Sequence, residues 1–313
     1  MAATEELSRR VREDVRRHRR VGLVALLVAF AWLGGCTPLA PVSQPAVRAA
    51  LAPPPPTDRE AAPAPPPGIV GGGVGSRATG STEVPITLPS GRAYVVHVPA
   101  VDDGRPRPLV LALHGLHLSW QNMAWTSGLS EYADGHGFLV AYGVGAGGSW
   151  NVGAGCCGSA ATRKLDDVGY LAAVVADVSS RVAVDRSRVY LVGFSAGESM
   201  ALRAQCARPD LFAASAGSSG ALLGVCRPGG PVRALHLHGR QDRTVPYVGG
   251  FSEALRRSVA PAREFGVRLA RQGAGTVATV LALRCGHLWP RRDNACRFDA
   301  TGEILRWMSR FHR

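Results

Sequence analysis

Apolar residues along the second part of the chain come in two kinds of run. Residues 83–88 (EVPITL) and 92–98 (RAYVVHV) flank Pro89-Ser90-Gly91 and predict an antiparallel hairpin. Pro108–Leu113 (PLVLAL), Gly137–Tyr142 (GFLVAY) and Arg188–Phe194 (RVYLVGF) are short and almost wholly apolar, the pattern of strands buried on both faces. Over 165–182 the period changes. Leu165, Val168, Leu171, Ala172, Val175 and Val178 recur at helical spacing and predict a helix. Helices are also predicted over 121–136 and 196–208, near 250–262 and near 300–312. Strands are predicted near 211–216, 232–238 and 277–283, and residues 143–163 form a long Gly/Cys loop. Strands alternating with helices predict an α/β domain, a mostly parallel sheet with helices on both faces. No internal repeat is visible.

The first eighty residues follow other rules. Residues 9–20 (RRVREDVRRHRR) are cationic, and 21–33 (VGLVALLVAFAWL) are apolar. A positive flank before a short apolar run reads as an export signal. The run is short for a transmembrane helix, which needs about 20 residues. It ends in Leu33-Gly34-Gly35-Cys36, similar to the lipobox of bacterial lipoproteins, in which the cysteine is lipidated. Residues 1–35 are therefore expected to be a lipoprotein-type signal peptide, with Cys36 carrying the lipid. The protein would then sit on the outer side of the membrane through that anchor, or be secreted. Eleven prolines fall within 37–67, and 68–80 (GIVGGGVGSRATG) are glycine-rich. Such a composition cannot pack a core, so 36–80 are expected to be a disordered tether. The folded domain is expected over 81–313.

Net charge is +13, and Lys164 is the only lysine among 36 basic residues. A basic surface attracts anions. The folded part has no run of cations interleaved with aromatics, so nucleic-acid binding is not expected. Seven cysteines are an odd count for an exported chain, and lipidation of Cys36 explains the odd one. The other six can pair in about fifteen ways. Cys206 with Cys226 and Cys285 with Cys296 are trial pairings; Cys156 and Cys157, being adjacent, are expected to seek different partners. Cys and His spacings fit no zinc pattern, and no metal or cofactor is expected.

Gly193-Phe194-Ser195-Ala196-Gly197 fits G-x-S-x-G, with a predicted strand before it and a predicted helix after it. That is the context of a nucleophile elbow, where a tight turn pushes the serine Oγ out of the sheet. Gly193 and Gly197 stand where side chains would collide with the neighbouring strand and helix. A serine nucleophile needs a base, and the base needs an orienting acid. In this fold they follow in the order Ser, acid, His. Among the histidines after Ser195, His312 is terminal, and His236 and His238 lie on one face of a strand, where packing or hydrogen bonding accounts for them. His287 follows the last predicted strand in a loop and is the expected base. Asp242 follows the strand VRALHLH and is the expected acid. Asp166 and Asp167 suit a helix N-terminus, and Asp210 is expected at the opposite sheet edge. The backbone N–H groups of Leu116 and Ala196 are the expected oxyanion donors. His114 is expected to hold its loop. Trp150 and Trp289 flank the site loops, either as an apolar wall of the substrate pocket or as ordinary packing.

Several segments in order resemble the polyhydroxybutyrate depolymerase and feruloyl esterase family, specifically its small exported bacterial esterases. They are Leu113-His114-Gly115, Gly137–Tyr142, Ser149-Trp150-Asn151 with Cys156-Cys157-Gly158, Asp166-Asp167-Val168-Gly169, Gly193–Gly197, Pro209-Asp210-Leu211-Phe212-Ala213, His238-Gly239 with Asp242 and Val245-Pro246-Tyr247, and Gly286-His287 with Trp289-Pro290. The resemblance spans about 82–313. It implies the α/β-hydrolase fold, hydrolysis of carboxylic esters without a cofactor, and the triad Ser195, Asp242, His287. There are departures. Ala196-Gly197-Glu198 replace a small polar residue and two glycines, the stretch between Tyr247 and His287 is shorter, and Arg291 and Arg292 replace glycines. Two other readings stay open: an acyltransferase of the cell envelope with the same triad, and a catalytically inactive envelope binding lipoprotein.

Overall fold

The computed structural model describes residues 82–100, 104–226, 229–273 and 277–313. The expected signal peptide, Cys36 and the tether lie outside the described residues. Strands β1 (Thr82–Thr87) and β2 (Ala93–Val98) form the predicted hairpin. Its turn closes at Gly91, whose φ of 78° is a conformation glycine adopts without strain. Next come β3 (Arg107–Leu113), β4 (Leu139–Gly143), β5 (Val184–Phe194), β6 (Ala214–Ser218), β7 (Arg233–Gly239) and, after the separate hairpin of β8 (Gly250–Ser252) and β9 (Arg257–Val259), β10 (Val277–Leu283). The main sheet has eight strands in the order β1-β2-β4-β3-β5-β6-β7-β10. It is antiparallel from β1 to β4 and parallel from there to β10. This is the α/β-hydrolase fold.

The continuous apolar runs have a structural cause. Leu109, Leu111 and Leu113 of β3 face one core, shared with Leu171, Val174, Val175 and Met200. Val110 and Ala112 face the other, shared with Met123, Leu129, Ile304 and Trp307. Helices therefore cover both faces. On the first lie α4 (Asp167–Arg181) and α5 (Ala196–Ala207); on the second lie α1 (Trp120–Ser127), α2 (Leu129–His136) and α7 (Ala300–Met308). Asp166 caps α4, its carboxylate accepting from the Gly169 N–H at 2.8 Å.

Four expectations need correction. The helix predicted over 121–136 breaks into α1 and α2 at Gly128, which has φ 63°. The loop 143–163 contains a short helix, α3 (Gly158–Thr162). The helix predicted near 250–262 is the β8–β9 hairpin. Gly249 and Gly250 have φ of 83° and 110°, Arg256 has φ 50°, and the buried Ser252 hydroxyl donates to the Thr244 carbonyl at 2.6 Å. Helix resumes only in α6 (Phe265–Ala270). Finally, Cys156 and Cys157 pair with each other rather than with different partners. Their loop is folded back on itself: the Cys157 N–H donates to the Trp150 carbonyl and the Cys156 carbonyl accepts from Val152, both at 2.8 Å. Both cysteines are buried there. Cys206–Cys226 and Cys285–Cys296 are bonded as tried.

Candidate active site

Ser195 stands between β5 and α5 with φ 55° and ψ −120°, a conformation rare outside glycine and costly unless its surroundings enforce it. They do. A Cβ on Gly193 would lie 2.2 Å from the Gly197 carbonyl, and one on Gly197 would lie 2.1 Å from the Leu113 carbonyl. The turn can form only because both are glycine. The Ser195 N–H donates to the Ser218 carbonyl at 2.8 Å, which ties the elbow to β6.

The other two polar groups come from the loops after β7 and β10. These strands run side by side, and a Cβ on Gly239 would lie 2.2 Å from the Cys285 carbonyl. The Arg240 N–H donates to Leu283 at 2.7 Å and the Gln241 N–H to Cys285 at 2.9 Å. That close approach brings Asp242 to His287. His287 Nδ1 lies 2.8 Å from Asp242 Oδ2, and His287 Nε2 lies 3.0 Å from Ser195 Oγ. A carboxylate only accepts, so Nδ1 donates to Asp242 and Nε2 is left to accept the serine proton. Asp242 Oδ1 accepts the N–H groups of Thr244 and Val245 at 2.9 and 2.8 Å. Burial alone would raise the Asp242 carboxyl. Hydrogen bonds from His238 and His287, the charge of His287 and the Val245 N–H outweigh it and hold Asp242 well below the usual carboxylate range.

The loop after β3 packs directly on the elbow. A Cβ on Gly115 would meet that of Ser195 at 3.4 Å. Among the described residues the Leu116 and Ala196 N–H groups donate to no backbone acceptor. His114 is buried between two loops. Its Nε2 accepts from the Gly145 N–H at 3.0 Å, so its Nδ1 carries the proton and donates to the Gly115 carbonyl at 2.8 Å. Burial lowers its pKa, consistent with that neutral form.

Trp150 and Trp289 are 0% and 1% exposed, so neither walls an open substrate pocket. Both are core supports of the site loops. The Trp150 indole donates to the His114 carbonyl at 2.8 Å, and the Trp289 indole donates to Thr301 Oγ1 of α7 at 3.0 Å. Asp167 is likewise internal, paired with Arg92 at 2.6 Å and accepting from the Asn151 N–H. Asp210 lies before β6, at the far edge of the sheet, paired with Arg208. Among the described residues no group of three or more His, Cys, Asp or Glu is arranged to hold a metal ion.

The model for the family described as esterase PHB depolymerase matches residues 92–250, about half of the chain. The chain belongs to that family. The matched stretch of the PHB depolymerase esterases holds Ser195 and Asp242 and stops before His287. Among curated relatives, the protein named "Putative esterase NocK" of Nocardia uniformis subsp. tsuyamanensis is 35% identical over 74% of this chain and 66% of its own length. Feruloyl esterase B of Piromyces equi is 33% identical over 52% of this chain and 32% of its own length. Feruloyl esterase C of Emericella nidulans is 30% identical over 53% and 60%. The chain thus spans from a third to just under two thirds of these relatives. An S-formylglutathione hydrolase from Agrobacterium tumefaciens shares the fold with a TM-score of 0.54 and 15% identity, covering 75% of this chain and 97% of that one. An acetyl xylan esterase from Aspergillus awamori does so with a TM-score of 0.54 and 17% identity, covering 73% and 99%.

His236 and His238 are hydrogen-bonded on one strand face, as the sequence suggested, but their link to Glu198 and to Asp242 was not foreseen. Glu198, His236 and His238 are all buried and hydrogen-bonded in a line that ends near Asp242. The signal was present: two histidines two apart on a strand share a face, and an acid sits three residues after the serine. Nothing in the sequence said that the two would meet.

Proposed function

We propose that this protein hydrolyses carboxylic esters as a serine esterase, with Ser195 as nucleophile, His287 as base and Asp242 as its orienting acid. The observation that carries the reading is the unbroken hydrogen-bonded series Ser195 Oγ, His287, Asp242 at 3.0 and 2.8 Å, built on a strained elbow. In this reading His287 takes the proton of Ser195 as its oxygen attacks the ester carbonyl. The Leu116 and Ala196 N–H groups receive the oxyanion, which in this fold come from the loop after β3 and the residue after the nucleophile. Each such donor is worth about 10²- to 10³-fold in rate. His287 then gives its proton to the leaving alcohol, and the acyl-enzyme falls to water activated by the same histidine. The substrate class is an ester of polyhydroxyalkanoate, feruloyl or acetyl type, a reading supported by the names of the relatives.

The test is labelling of the full chain with a fluorophosphonate probe, beside Ser195→Ala. Label on the wild type alone is the expected result; a folded wild type that takes no label overturns the reading. The same reading has the protein exported and acylated at Cys36. Mass spectrometry of the membrane-extracted protein is expected to find a lipid on the Cys36 peptide, and an unmodified peptide sinks the anchor.

A further inference from the structure

Three buried titratable side chains beside the triad take no part in the reaction as proposed. Glu198 leaves the first turn of α5, and His236 and His238 leave one face of β7. They are 5%, 1% and 1% exposed. Glu198 Oε2 accepts from the Gly220 N–H at 2.5 Å, and its Oε1 lies 2.6 Å from His236 Nδ1. His236 Nε2 lies 3.0 Å from His238 Nδ1. His238 Nε2 lies 2.8 Å from the Val245 carbonyl and 3.3 Å from Asp242 Oδ2.

Proton positions follow from these contacts. A carbonyl oxygen only accepts, so His238 Nε2 carries a proton, donated to Val245 with Asp242 as second acceptor. The gap between the imidazoles holds one proton, and so does the gap between His236 and Glu198. Glu198, His236 and His238 therefore carry three protons in all. An ionised carboxylate and two neutral imidazoles would carry two. The extra proton cancels the charge that Glu198 brings into the core, where an unpaired carboxylate is costly. It also leaves no nitrogen or oxygen of the line without a partner.

We propose that Glu198, His236 and His238 are positioning residues. They hold the His238 Nε2–H, which is donated to the Val245 carbonyl, 3.3 Å from Asp242 Oδ2, so that the triad's acid has a second imidazole N–H beside it and shares its charge between two imidazoles. The proposal rests on the esterase reading of Ser195, His287 and Asp242. Its consequence has a definite sign. Without the His238 donor, the charge of Asp242 concentrates on His287 and favours the imidazolium. His287 then keeps its proton to higher pH, and the acidic limb of kcat/KM moves up. The other rings and charges facing the line are Tyr247, 5.8 Å from the His238 ring, and Phe265, stacked on His236 at 4.5 Å. Arg268 lines a cavity of about 20 Å³ against both imidazoles, room for about one water. On the triad side, Phe194 lies 5.1 Å from His287.

Two substitutions at one position separate aim from bulk. His238→Asn keeps an amide nitrogen near Nδ1, facing His236, and loses the donor to Asp242. His238→Gln puts an amide nitrogen near Nε2 and restores that donor. The measurement is the pH profile of p-nitrophenyl acetate hydrolysis by the full chain. His238→Asn is expected to lower kcat/KM about tenfold, mainly through kcat, and to raise the acidic limb by about half a pH unit. His238→Gln is expected to recover most of both. Equal damage in the two variants, or an unmoved profile in His238→Asn, overturns the proposal. Should neither variant fold by circular dichroism, nitrogen-15 NMR of the wild-type imidazoles decides it: His238 Nε2 is expected to be protonated, and a bare nitrogen there overturns the assignment. Fluorophosphonate labelling of the wild type keeps the two readings apart. No label on Ser195 removes the esterase reading and this one with it; a labelled Ser195 with an unmoved profile removes this one alone.

Discussion

Around Ser195 the main chain leaves no room, whereas Asp242 and His287 are brought together by one main-chain contact, at Gly239, and then placed by hydrogen bonds to their side chains. A Cβ on Gly193, Gly197 or Gly217 would lie within 2.2 Å of neighbouring backbone, so the elbow is held by contact between main chains. The loops of Asp242 and His287 are held by hydrogen bonds from Thr244, Val245 and His238, by the Trp289–Thr301 contact and by the Cys285–Cys296 disulfide. Close-packed backbone has no soft coordinate, so a misfit there displaces whole strands. A side-chain hydrogen bond can be lost while its neighbours hold. The serine half of the site should therefore fail at once, and the histidine half by degrees.

The largest effect is expected from Gly197→Ala. Its Cβ would overlap the Leu113 carbonyl, and overpacking against backbone costs about 3 kcal/mol or more. Denaturant unfolding should show that loss, and fluorophosphonate labelling should vanish. A stable, fully labelled variant would break the contrast.

Asp242→Asn comes next. The shape is kept, while the donor and acceptor roles around His287 are disturbed. Turnover of a p-nitrophenyl ester is expected to fall by about 10³- to 10⁴-fold with the fold intact. The same variant reports on acid stability. The Asp242 carboxyl is held low in the folded state, so its contribution is fully present above about pH 4, where the unfolded carboxyl is ionised. That contribution is lost as pH falls below this point toward the folded value. Unfolding free energy should therefore drop more steeply between pH 4 and pH 2 in the wild type than in Asp242→Asn; parallel curves would contradict the assignment.

Cys285→Ser with Cys296→Ser is the mildest change. The bridge closes a loop with a sequence separation of 11, and breaking a loop of that size costs about 2–3 kcal/mol. Thermal unfolding should show the loss. Because Asp242 and Trp289 still hold the loop of His287, kcat/KM should fall only a few-fold. A loss as large as that of Asp242→Asn would mean that the disulfide, rather than the hydrogen bonds, positions the base.

The elbow was legible because its requirements are local. A strand, a turn with glycines on either side of a serine, and a helix follow one another without a break from Val184 to Ala207. Asp242 and His287 could be picked from chain order and from their places after strands, and the structure brings both within hydrogen-bond distance of the series. The burial of Trp150 and Trp289 was not legible, since an indole beside a loop serves equally as wall or wedge until its N–H finds a partner. Residues 250–262 carried a helix-compatible pattern, and Gly249, Gly250 and the bond from Ser252 to Thr244 overrode it. Cys156 and Cys157 looked too close to pair because adjacency says nothing of how their loop doubles back on Trp150.

What the sequence by itself determined is whatever depends on neighbours along the chain. That covers the two periodicities, the two-faced burial of the central strands, the glycines demanded by the turn at Ser195, and the order of the candidate groups. What only the tertiary structure decided is which distant groups meet. Glu198 reads in sequence as an acid near a helix start, where the dipole favours it. In the fold it meets His236 on the same face of the sheet, joins His238 and reaches toward Asp242. Helical and strand spacing fix the face from which a side chain leaves, but the partner waiting there is set by how the strands are ordered in the sheet, and that order comes from packing the whole core at once.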